Sequence, residues 1–346
     1  MAVYENRGCR ESGVRAMMRQ LKLAIGFMVG VIFASGMLTP VWGQTPPTTV
    51  PGPPPGQLPP GIGAGPNVLP KAGVCPLPIL PAIPKYEETA YYANADVPHG
   101  KVEVASYKNS AGADTTMHVY LPPGYDASAA VTYPVLYLNH GGGGNDAAWT
   151  DTTSRGGSAN FILDNLLAAG KAKPMIVAMP NTSKCASGIP SAPGKDDACT
   201  QEYLKNIIPY VESHYHAKAD RADRAIAGLS MGGFVVMNTG LPHLDTFSEL
   251  FVYSSGYFPD QIKTFEDNFA AMLKDPGTND LLRVPFYMSA GETDIALKNG
   301  QAVMAIINKN GVRNFWVLST GGHEWANWRR SLYQTAQIMF PECGGK

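Results

Sequence analysis

The sequence predicts an α/β fold, a mostly parallel central sheet with helices on both faces. Three observations carry that prediction. Short apolar runs alternate with longer stretches of helical period, the order in which parallel strands and their crossover helices follow one another. Most of the runs are apolar at consecutive positions, as strands covered on both faces require. Hydrophobic residues make up 45% of the 346 and charged residues 16%, so the chain can bury a large core and is not globally disordered.

The elements follow in chain order. Arg15, Arg19 and Lys22 precede an uncharged apolar run to Leu38, and Val41-Trp42-Gly43 comes after it. A cationic start, an apolar stretch and small residues ahead of a cleavage point describe a secretory signal peptide over residues 1–43, cut after Gly43. The run falls short of the roughly 20 residues that span a bilayer, so no membrane association is expected after cleavage. The expected destination is the periplasm or the medium. Residues 44–71 are rich in Pro, Gly and Thr with little charge. They cannot build a core and read as an extended linker.

The folded domain is expected over residues 72–346. Alternating residues predict strands at Lys101–Tyr107 and Thr115–Leu121, an antiparallel edge hairpin. Buried strands are expected at Pro134–Leu138, Met175–Ala178, Ala225–Ala227, Leu250–Tyr253, Pro285–Ser289 and Phe315–Leu318. Helical periods fall at Ala159–Ala169, Gln201–His214, Gly232–Thr239, Phe265–Leu273, Lys298–Asn310 and Trp325–Met339.

Charge and cysteines narrow the function classes. Lys and Arg number 27 and Asp and Glu 28. Without a basic excess, nucleic acid is not an expected partner. Signal removal takes Cys9 and leaves Cys75, Cys185, Cys199 and Cys343. An even count in an exported chain suggests two disulfides, for which three pairings are possible. The simplest is a local Cys185–Cys199 bridge around a Gly-, Pro- and Ser-rich loop, with Cys75–Cys343 tying the start of the domain to its end. No cysteine spacing fits a zinc site, and no metal is expected.

The chemistry is concentrated in four places. Gly228-Leu229-Ser230-Met231-Gly232 is a G-x-S-x-G motif between a predicted strand and a predicted helix. A nucleophile in so tight a turn needs small residues two before and two after it. The turn also sets free helix N–H groups beneath developing negative charge. A serine hydroxyl needs a base within hydrogen-bond reach. His323, in the loop between the last strand and the last helix, is the downstream histidine at the carboxyl edge of the sheet. Asp294 follows the strand Pro285–Ser289 and is the expected acid, with Glu292 as alternative. The order Ser, Asp, His is that of an α/β-hydrolase. Finally, His140 opens a glycine run to Gly144 after another strand. It lacks the Gly-Lys-Ser/Thr ending of a phosphate loop. Its expected role is an oxyanion hole, with backbone N–H donors from Gly142 and Met231. His140 is expected to hold the loop in place.

On these residues the chain resembles a known family. The segments His118 to Tyr125, Tyr133 to Gly141, Ile226 to Gly233 and Gly322 to Arg329 look like those of the esterase D-type α/β-hydrolases of carbohydrate esterase family 1. That family includes feruloyl and acetylxylan esterases. The resemblance spans about residues 105–340. It implies a serine esterase without metal or organic cofactor, with Ser230, Asp294 and His323 in the catalytic positions. Gly142 stands where the family often has a larger residue, which bears on the acyl pocket. Trp149, Tyr257 and Trp325 are candidates for stacking on a sugar or phenolic acid; Trp328 is expected in the core. Export favours an ester-decorated plant cell-wall polysaccharide as substrate. Acyl transfer of the mycolyltransferase type, peptide hydrolysis and a non-catalytic binding role are the alternatives.

Overall fold

The structure is a computed structural model that describes residues 75–192 and 194–343. The expected signal peptide and linker lie outside the described residues. Eight strands form one sheet: β1 Lys101–Lys108, β2 Asp114–Leu121, β3 Val135–Asn139, β4 Ile176–Pro180, β5 Arg224–Leu229, β6 Glu249–Tyr253, β7 Phe286–Gly291 and β8 Asn314–Ser319. Their order across the sheet is β1-β2-β4-β3-β5-β6-β7-β8. β1 and β2 form the antiparallel hairpin, with Lys101 opposite Leu121, and β2 runs antiparallel to β4. All later pairings are parallel.

Side chains alternate between two cores, because successive residues of a strand point to opposite faces. Val135, Tyr137, Leu250 and Val252 join one core. Leu136, Leu138, Phe251 and Tyr253 join the other. The first is covered by α2 Ala198–Glu202, α3 Ile208–His214, α4 Met231–Val235, α5 Ile262–Lys274 and α7 Leu297–Lys309. The second is covered by α1 Ala159–Ala168 and α8 Trp325–Ala336. Helix α6, Gly277–Leu281, has no counterpart among the sequence expectations.

Two expected helices are interrupted. Tyr203–Ile207 is a π turn between α2 and α3. Pro209, near the start of α3, has no N–H to continue the regular ladder. Val236–Gly240 is a second π turn, directly after α4. The cysteines pair as Cys75–Cys343 and Cys185–Cys199. No helix among the described residues is long and apolar enough to cross a membrane.

Candidate active site

β5 ends at Leu229, and Ser230 follows with a strained positive φ of 50° and ψ −117°. Backbone crowding explains the flanking glycines. A Cβ on Gly228 would lie 2.3 Å from the carbonyl oxygen of Gly232, and one on Gly232 would lie 2.6 Å from that of His140. No flexible side-chain end is there to yield. The Ser230 N–H donates to the Tyr253 carbonyl at 2.9 Å, fixing the turn to β6. Met231 opens α4, so its amide has no helix carbonyl to bond.

The glycine run passes over this turn. A Cβ on Gly141 would stand 3.2 Å from that of Ser230, and one on Gly142 2.8 Å from Met231 Sδ. His140 holds the run, and its tautomer follows from its partners. The Thr182 N–H donates to Nε2 at 3.2 Å, so Nδ1 carries the proton and donates to the Gly141 carbonyl at 2.7 Å. Gly141, Gly142 and Met231, with Thr182 and Ala186, line a cavity of about 30 Å³.

His323 stands between the serine and a carboxylate. Its Nε2 is 2.9 Å from Ser230 Oγ and its Nδ1 is 2.8 Å from Asp294 Oδ1. A carboxylate only accepts, so Nδ1 bears the proton and Nε2 is free to accept from the hydroxyl. The Asp294 side chain is fully buried while the imidazole is 21% exposed. Burial raises the Asp294 pKa, but hydrogen bonds from His323 and the Ala296 N–H, with the influence of the Ser254 side chain and the His323 charge, outweigh it and hold the group below its ordinary value. The Ala296 N–H lies 2.8 Å from Oδ1. Glu292, the alternative acid, is exposed.

The loops bearing acid and base are tied together. The Gly321 carbonyl accepts from the Thr293 N–H at 3.0 Å and from Thr293 Oγ1 at 2.9 Å. Gly322 is held on both sides: its N–H donates to Glu324 Oε1 at 2.8 Å, and its carbonyl accepts from Asn327 Nδ2 at 2.6 Å. The guanidinium of Arg330 donates to Asn327 Oδ1 and to the Thr320 carbonyl.

Two of the expected stacking residues are corrected. Trp149 is 1% exposed, and its indole N–H donates to the Asn139 carbonyl at 3.0 Å. Tyr257 is 0% exposed, and its hydroxyl donates to Asn238 Oδ1 at 2.6 Å. Both rings are core residues whose polar atoms found internal partners, so neither face is open to a ligand. Trp325 is half-buried, edge-on to Trp149 and Trp328 at ring distances of 5.2 Å and 5.1 Å. Trp328 is buried, as expected.

The exposed apolar surface at this sheet edge comes from residues that sequence reasoning missed. Phe258 is 54% exposed, Ile189 63% and Ile295 82%. Each sits in a loop after the carboxyl end of β6, β4 or β7. Asn238, in the second π turn, sets two of those loops. Its Nδ2 donates to the carbonyl of Ile189 at 2.9 Å, and its Oδ1 accepts from Tyr257. The sequence carried one signal for Phe258, an aromatic pair followed by Pro259, but not which ring faces out.

Comparisons with known proteins give the family and the fold. The family model described as "Putative esterase" matches residues 108–338. The chain belongs to this esterase family. An "Endo-1,4-beta-xylanase/feruloyl esterase" of Xylanibacter ruminicola is 32% identical over 272 residues, 75% of this chain. The match covers 34% of that relative, so the chain spans about a third of its length. A solved ferulic acid esterase is 26% identical, with a TM-score of 0.58 over 70% of this chain and 99% of its own. The feruloyl esterase module from Clostridium thermocellum complexed with sinapinate has a TM-score of 0.60 at 20% identity, over 78% of this chain and 98% of its own. The fold is that of an α/β-hydrolase.

Proposed function

We propose that the protein is an exported serine carboxylesterase that hydrolyses feruloyl or acetyl esters carried by xylan, with residues 72–346 as its catalytic domain. The observation that carries this reading is the unbroken hydrogen-bonded path from Ser230 Oγ through His323 to Asp294. Ser230 attacks the ester carbonyl while Nε2 of His323 takes the hydroxyl proton. Asp294 holds the ring in the required tautomer and stabilises the imidazolium without taking the proton. The amides of Gly142 and Met231 receive the oxyanion. His323 returns the proton to the leaving sugar alcohol, and water repeats the sequence on the acyl-enzyme.

The xylanase/feruloyl esterase relative supports a xylan ester as substrate. The exposed Phe258 and Ile189 favour an aromatic acyl group over acetyl, because a phenolic ring gains most from apolar surface. The signal-like start and the two disulfides support export. The test is incubation of the secreted protein with feruloylated and with acetylated xylo-oligosaccharides, reading free acid by chromatography. Release of ferulic acid, lost in Ser230→Ala, is the expected result. Release of neither acid, or transfer of the acyl group to a second sugar in place of water, overturns it.

A further inference from the structure

A segment remote in sequence from the candidate site lies against the loop that carries His323. Residues 75–100 form a strap whose stretch from Pro81 to Tyr92 contacts α8, the helix that begins two residues after that histidine. The strap is fastened at its start by Cys75–Cys343. Gln334 Nε2 donates to the Pro81 carbonyl at 2.5 Å. The Arg329 guanidinium lies over the Tyr92 ring at 4.4 Å, and Tyr91 packs edge-on against Tyr333 at 5.1 Å.

Tyr86 is the point at which this strap meets the loop. Its ring meets Gly321 beside Glu324, the side chain that accepts the Gly322 N–H. Its ring lies under the Arg330 guanidinium at 5.2 Å. Gly321 has φ +101°, and a Cβ there would stand 2.6 Å from Tyr86 Cε2. The ring therefore packs on Gly321 beside Glu324 and Asn327. With the strap removed, Gly321 would lose the ring packed against it, and the imidazole two residues on must keep hydrogen-bond distance to both neighbours.

We propose that Tyr86 is a positioning residue for His323, delivered to its loop by a strap that Cys75–Cys343 holds in place. The proposal rests on the esterase reading above. It predicts that an intact nucleophile and an intact strap make separable contributions to turnover. A displacement of about 1 Å at a reacting group can cost up to about a hundredfold in rate, so a loosened loop is expected to lower kcat and leave substrate binding alone.

The experiment compares wild type, Tyr86→Ala, Tyr86→Phe and the Cys75→Ser/Cys343→Ser pair. Active sites are titrated with a fluorophosphonate, so that misfolded protein drops out of every rate, and Ser230→Ala serves as the unlabelled control. Failure of wild type to label would defeat the esterase reading itself. With labelling intact, Tyr86→Ala is expected to lower kcat per titrated site about tenfold with KM within about twofold. Tyr86→Phe, which keeps the ring against Gly321, is expected to restore most of it. The cysteine pair should fall in the same direction as Tyr86→Ala. Turnover per site within about twofold of wild type in Tyr86→Ala overturns the proposal. So does a rise in KM confined to oligosaccharide esters with kcat unchanged, which would make Tyr86 a substrate contact. Should Tyr86→Ala give no titratable sites, the cysteine pair decides by the same two readings.

Discussion

Asp294 and Glu249 are both buried carboxyl groups on one sheet, and their surroundings drive them in opposite directions. Asp294 follows the carboxyl end of β7, at the candidate site; Glu249 opens β6, at the other end of the strands. Burial disfavours the charge on each. Asp294 overcomes it with hydrogen bonds from His323 and the Ala296 amide, aided by the Ser254 side chain and the charge of His323. Glu249 has a single backbone donor, the Phe340 N–H, at 2.9 Å and 3.0 Å from its two oxygens, with Arg283 exerting a weaker attraction. Its pKa is pushed up to about 8. Burial is the largest influence on both; it prevails at Glu249, and at Asp294 the hydrogen bonds and the neighbouring imidazole together outweigh it. At the site edge a charged carboxylate can orient a base; at the far edge a carboxyl serves only the fold.

Changes at the site edge are expected to alter turnover and leave stability nearly untouched. Ser230→Ala has the largest effect: a loss of kcat of about 10⁶, measured on an aryl ester. Residual catalysis at wild-type level would remove Ser230 from the mechanism. Asp294→Asn comes next, at about 10⁴ in kcat, because an amide can donate to Nδ1 and trap the wrong tautomer. Such a variant with full activity would place Asp294 with Glu249, as a structural carboxyl. Phe258→Ala is smaller and selective. It is expected to lower the ratio of kcat/KM for feruloyl over acetyl esters roughly tenfold, the worth of a lost apolar contact. Equal losses on both esters would mean that the exposed ring does not meet the acyl group.

The same contrast explains what could be read from the sequence. The strands were legible as apolar runs, and their ends shift by one or two residues at most, because period and composition are local properties. Ser230 was legible because its turn forbids any residue larger than glycine at 228 and 232, a constraint written into five consecutive letters. Asp294 and His323 were legible as loop residues after strands. Trp149 and Tyr257 were not placed correctly, since their burial comes from core clusters assembled from residues across the chain. The strap contact at Tyr86 has the same character: nothing near Tyr86 in sequence points to Gly321. Glu249 left one trace, an acidic residue opening the run Glu249-Leu-Phe-Val-Tyr253. That trace does not say whether a donor waits for it.

Glu249→Gln is the smallest of the expected effects and the one that separates the two carboxyls most cleanly. In the folded protein the group holds its proton up to about pH 8; once unfolded it releases it near its ordinary value of 4.5. Between those limits the folded state binds more protons than the unfolded one, so stability falls as pH rises. The slope from this one group is at most about 1.4 kcal/mol per pH unit. Asp294, with its lowered pKa, contributes with the opposite sign and only at acid pH, so the two do not overlap in the neutral range. Glutamine keeps an oxygen for the Phe340 N–H and carries no ionisable proton. Thermal melts of both proteins from pH 5 to pH 8 should therefore diverge, with Gln gaining on Glu as pH rises while kcat stays equal. Parallel melting curves across that range would mean that Glu249 is ionised in the fold, with a donor beyond Phe340, and the contrast with Asp294 would fail.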